Sequence, residues 1–81
     1  MNTLELRVWN VINPPAEPRY YYVGSVAHAK LLIDRMADEQ LQKPHIWGNA
    51  FGLEAFDGDE WAEWYSEDGE DINDWGGEDV S

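Results

Sequence analysis

The sequence predicts an α+β fold: a small antiparallel sheet in the order β-β-α-β-β, with one helix packed on one face and an acidic C-terminal tail. Three observations lead there. Leu4-Glu5-Leu6-Arg7-Val8-Trp9 alternates apolar and polar with the two-residue period of a half-buried strand. Val26, Ala29, Leu32, Ile33, Met36, Ala37 and Leu41 recur at spacings of three and four, the period of an amphipathic helix. Asp57-Gly58 falls between two aromatic stretches, and Asp-Gly is among the strongest short-range hairpin signals.

The first strand continues through Val11 and Ile12 until Asn13-Pro14-Pro15-Ala16-Glu17-Pro18, whose three prolines cannot donate to a ladder. Arg19-Tyr20-Tyr21-Tyr22-Val23 is aromatic and β-prone, which gives the second strand. Ser25 is a good N-cap for a helix over 25–42, and Pro44 stops it. The outer face of this helix carries Lys30, Asp34, Asp38 and Glu39, with Lys30 and Asp34 spaced to pair. A third strand lies around 50–56, Asp57-Gly58-Asp59-Glu60 is a turn, and Glu60–Tyr65 is the fourth strand. Residues 1–66 then form one domain. Residues 67–81 form a mobile acidic tail that Trp75 could pin.

With 81 residues the stability margin is thin. Five tryptophans offset this, because each large aromatic removes roughly 150–250 Å² from water when buried. Trp9, Trp47 and one of Trp61 and Trp64 are expected in the core.

Charge is distributed unevenly. All five bases (Arg7, Arg19, Lys30, Arg35, Lys43) lie in residues 1–43, balanced there by five acids. Residues 44–81 hold the other twelve of the 17 acids and no base. Clustering like charge costs folding stability through self-repulsion, so solubility alone does not account for it. Direct binding to nucleic acid or to an anionic membrane needs a basic patch, and neither is expected here. A basic protein partner is. The expected partner-binding residues are Glu54, Asp57, Asp59, Glu60, Glu63, Glu67, Asp68, Glu70 and Asp71, with Trp61 or Trp64 as an apolar anchor.

Other chemistry finds little support. There is no cysteine, which rules out disulfides, thiolate metal sites and thiol nucleophiles. The only imidazoles are His28 and His45, and no orienting acid is placed locally beside His28, so no catalytic residue is assigned. The Asp/Gly-rich turns fail the EF-hand pattern, since Trp75 stands at the fifth position counted from Asp71. No cofactor and no metal are expected. The start of the chain lacks a signal-peptide pattern and no stretch is apolar enough to cross a bilayer, so a cytoplasmic location is expected.

The phrase Gly52-Leu53-Glu54-Ala55-Phe56-Asp57-Gly58-Asp59-Glu60-Trp61-Ala62-Glu63-Trp64-Tyr65 resembles small acidic proteins encoded by phages and prophages. In size and charge the whole chain is similar to phage anti-defence proteins, including DNA-mimic inhibitors of restriction enzymes and anti-CRISPR proteins. The resemblance rests on length, acidity and this one phrase, so it implies a class and assigns no functional residue. That class is a monomeric or homodimeric inhibitor in the host bacterial cytoplasm that blocks the nucleic-acid-binding surface of a nuclease complex or regulator. Two alternatives come from other classes: a structural or assembly subunit of a phage, and an antitoxin-like partner of one basic protein.

Overall fold

The computed structural model describes residues 5–76. Leu4, read above as the start of the first strand, and residues 77–81 of the expected tail lie outside the described residues. Four strands form one antiparallel sheet, and one helix packs on it: β1 (Glu5–Ile12), β2 (Arg19–Val23), α1 (Val26–Leu41), β3 (Asn49–Phe56) and β4 (Trp61–Glu63). The strand order is β2-β1-β3-β4, so β2 and β4 are the two edges.

Register follows from burial. Val8 faces Tyr21 on one side and Leu53 on the other. Leu6, Val8, Phe51 and Leu53 thereby share one face, where α1 buries Ala29 and Ile33 against them. A slip of one residue would turn this whole set to the other side. Ser25 caps α1 as expected: its backbone is extended and its hydroxyl accepts from the His28 N–H at 3.0 Å.

The helix line differs from expectation at its end. Leu41 is 82 % exposed, and the buried residue is Gln40. At about 100° per residue, Gln40 falls in line with Ala29 and Ile33, whereas Leu41 lies about 80° round from Ile33. Gln40 is tolerated inside because both polar atoms of its amide have partners. Its Nε2 donates to Asn10 Oδ1 and its Oε1 accepts from Asn49 Nδ2, both at 2.9 Å, while Asn10 Nδ2 donates to the Ala50 carbonyl at 3.1 Å. Buried polar groups left without partners would cost roughly 1–3 kcal/mol each.

Trp47, expected in the core, is 73 % exposed. The chain around it is held by backbone rather than by its ring. Asn13, in the left-handed region at φ 54°, accepts on Oδ1 from the Trp47 and Gly48 N–H groups and donates from Nδ2 to the His45 carbonyl. Asparagine tolerates that conformation better than other side chains, so one residue ties the β1 exit to the β3 entry.

The boundary expected at residue 66 is also corrected. Helix α1 packs on β1, β2 and β3 but not on β4. Residues 64–75 cover the rest of that face. Ile72 is fully buried in the core, Trp75 meets Trp64 edge-to-face at 5.8 Å, and Asn73 Nδ2 donates to the Phe51 carbonyl at 2.9 Å. The acids of this segment hid the one residue that decides its placement: burying an isoleucine is worth roughly 1.5–3 kcal/mol, enough to dock a short loop.

Candidate interaction surface

Among the described residues, no helix covers the second face of the sheet. This face holds Arg7, Trp9, Tyr20, Tyr22, Glu54, Phe56, Trp61 and Glu63, which alternate with the core residues along their strands. These side chains close over one another. The Arg7 guanidinium lies 3.9 Å from the Tyr20 ring centroid and 4.1 Å from that of Trp61, and its Nε donates to Glu54 Oε1 at 2.7 Å. Burial would lower the Arg7 pKa, but the hydrogen bonds to Glu54 and Tyr22 outweigh it and hold the pKa above its ordinary value. Trp61 also packs on Phe56 at 5.3 Å and on Tyr22 at 5.9 Å, so aromatics from the two edge strands meet above the centre of the sheet. Trp9, expected in the core, lies instead on this second face, half-buried over Gly52, where any Cβ would run into its indole.

Trp61 and Trp64, the two expected anchors, therefore do not stand free. Each is half-buried, and they occupy opposite faces: Trp61 on the Arg7 cluster, Trp64 against the core and Trp75. The sequence reasoning missed Arg7, Tyr20 and Tyr22. Three consecutive tyrosines in a strand must place aromatics on both faces, and that was the available signal.

Apart from Asp74, which is exposed and lies beyond both loops, the described acids after residue 43 separate into two groups. Four have structural partners. Glu54 pairs with Arg7. Glu63 Oε1 accepts from Trp9 Nε1 at 3.3 Å. Its carboxyl is pushed above its ordinary pKa, first by burial and then by the charges of Asp71 and Glu54, against the opposing Trp9 hydrogen bond. Asp57 Oδ1 accepts from the Asp59 and Glu60 N–H groups at 2.8 and 3.0 Å, with Gly58 at φ 107° completing the turn. Those backbone donors, Glu60 before Asp59, hold the Asp57 pKa below its ordinary value. Asp71 Oδ1 accepts from the Asn73 and Asp74 N–H groups, which forms the turn that delivers Ile72 to the core.

The second group is Asp59, Glu60, Glu67 and Asp68, all exposed, together with half-buried Glu70. They stand on two loops, one at each end of β4. Both loops are pinned at the base. The Asp57 N–H donates to the Glu60 carbonyl at 3.1 Å in the first. In the second, the Ser66 N–H donates to the Glu70 carbonyl at 2.8 Å, and the Ser66 hydroxyl accepts from the Asp68 and Glu70 N–H groups. The β4 edge between them spans about 10 Å for its three residues. Glu67, Asp68 and Glu70 also rim a cavity of about 480 Å³ walled by Trp64 and Trp75.

Only two ion pairs exist among the described residues, Arg7–Glu54 and Lys30–Asp34. Hence Glu54 alone, of the described acids beyond residue 43, is neutralised by a base. No group of three His, Asp or Glu side chains suited to hold a metal occurs among the described residues. Nor is any described helix long and apolar enough to cross a membrane. Compared with protein-family models, curated proteins and solved structures, the chain matches none.

Proposed function

We propose that the protein is a non-catalytic acidic binding module that seats its β4 edge on a basic, nucleic-acid-binding surface of a partner protein and blocks it. One observation carries this reading: Asp59, Glu60, Glu67 and Asp68 are exposed, lack a base, and stand on two turn-locked loops that flank one sheet edge. Locked loops matter because charges already held in place lose little conformational freedom on binding. Charge complementarity of this kind speeds encounter and selects against acidic partners. The inhibitor class implied by the resemblance, an anti-restriction or anti-CRISPR type of anti-defence protein in a bacterial cytoplasm, is the concrete form of the proposal.

The test is capture from a bacterial lysate on the immobilised protein, at low and at high salt, followed by challenge with duplex DNA. The proposal expects a nucleic-acid-binding protein that is held at low salt and released by the duplex. A partner indifferent to both salt and DNA would overturn it and favour the antitoxin-like alternative.

A further inference from the structure

We infer that the opposite edge, β2, pairs with β2 of a second copy of this chain to make a continuous eight-stranded sheet. An edge strand presents unpaired N–H and C=O groups, and proteins blunt such edges with brevity, inward charge, lysine, proline or bulges. The β4 edge is blunted by shortness and by its acids. The β2 edge has one of these devices, Arg19, at its first residue, on the face that carries the helix. It is five residues long, its register with β1 runs without a bulge from Leu6↔Val23 to Asn10↔Arg19, and it contains no proline, lysine or acid. Its side chains are the β-prone Tyr20, Tyr21, Tyr22 and Val23.

Charge decides the occupant. A second copy repels the first wherever acidic halves meet, but β2 belongs to the balanced half, with five bases and five acids in residues 1–43. In the strand order β2-β1-β3-β4, joining two copies at β2 places both β4 edges at the far ends of the new sheet. No other pairing of edges keeps them so far apart. An antiparallel seam centred on Tyr21 sets Tyr20 of each copy opposite Tyr22 of its mate, an aromatic cross-strand pair of the stabilising kind. Tyr22 is 69 % and Tyr20 43 % exposed, so the seam would cover tyrosine surface that now faces water. A seam of five-residue strands is short, so dimerisation is sought in roughly the micromolar range.

Sedimentation equilibrium of the purified full chain, across concentrations up to about ten times that range and at low and high salt, tests this. The expected result is a monomer–dimer equilibrium with a limiting mass twice the 9.3 kDa of the chain, strengthened by salt as repulsion is screened. Tyr22→Lys should weaken dimerisation roughly tenfold, because symmetry alters two cross-strand pairs at once. Tyr22 also touches Trp61, so hydrogen exchange on the wild-type chain provides a second readout independent of folding: β2 amides not bonded to β1 should gain protection as concentration rises. A monomer at every concentration, or a dimer whose β2 amides gain no protection, would overturn the inference. Either outcome leaves the β4 proposal standing, since that surface lies at the other edge.

Discussion

The two edges of the sheet differ more than its two faces do. At β2 the chain carries one base and no acid, and it is aromatic and regular. At β4 it is three residues long and flanked by carboxylates on locked turns. The comparison teaches that acidity here has two separable uses. Glu54, Asp57, Glu63 and Asp71 are consumed in building the fold, by a guanidinium, an indole N–H and two sets of backbone N–H donors. The side chains of Asp59, Glu60, Glu67 and Asp68 make no ion pair among the described residues. Substitutions at Glu54, Asp57 and Asp71 should cost stability, those at Glu63 should change it little, and those at the second group should cost only binding.

The largest effect is expected at the residue that joins the acidic half to the core. Ile72→Ala should destabilise by about 2–5 kcal/mol in chemical denaturation, as for other fully buried aliphatics. A loss under about 0.5 kcal/mol would mean that residues 67–76 are the free tail that composition alone suggests.

Next is the amide network. Gln40→Ala should cost about 1–3 kcal/mol by stranding buried Asn10, while Leu41→Ala, one position on and exposed, should cost almost nothing. Equal effects at the two sites would contradict the helix orientation.

A smaller effect is expected at the hairpin. Asp57→Ala should lower stability slightly at neutral pH by freeing two backbone donors. The pKa of Asp57 is lowered in the folded state, so its contribution is present above the unfolded pKa and is lost as pH falls through the folded value. The mutant and wild-type stability curves should therefore converge in strong acid.

The smallest effect is opposite in sign. The Glu63 pKa is raised on folding, so its ionised form opposes folding above that raised value, and the penalty fades as pH falls through it. Glu63→Gln keeps an acceptor for Trp9 Nε1 and should stabilise by at most about a few tenths of a kcal/mol at neutral pH, with no gain in mild acid. Thermal unfolding of both proteins across pH reads this directly, and destabilisation at neutral pH would show that the charge on Glu63 supports the Trp9 contact.

Legibility in the sequence followed local periodicity. β2 and α1 are set by short runs and a cap, and the four-stranded antiparallel sheet with one helix emerged from them. Trp47, Gln40 and Ile72 were misjudged because each depends on a distant partner: Asn13 holding the loop, Asn10 and Asn49 satisfying an amide, and the face that α1 leaves bare beside β4. Composition could show that the second half is acidic. Which carboxylates are spent on turns and which stand free depends on backbone donors that only the folded chain brings near.

The central claim concerns where the charge lies, not how much there is, and one paired measurement tests it. The variant Asp59→Asn/Glu60→Gln/Glu67→Gln/Asp68→Asn and a control variant Glu17→Gln/Asp34→Asn/Asp38→Asn/Glu39→Gln change net charge equally, the control doing so at exposed sites in the balanced half. Binding of each to the captured partner is compared with wild type at one salt concentration. The account predicts at least a several-fold loss for the first variant and near-wild-type binding for the control. Equal losses in both would reduce the protein to a diffuse polyanion and contradict a site on the β4 edge.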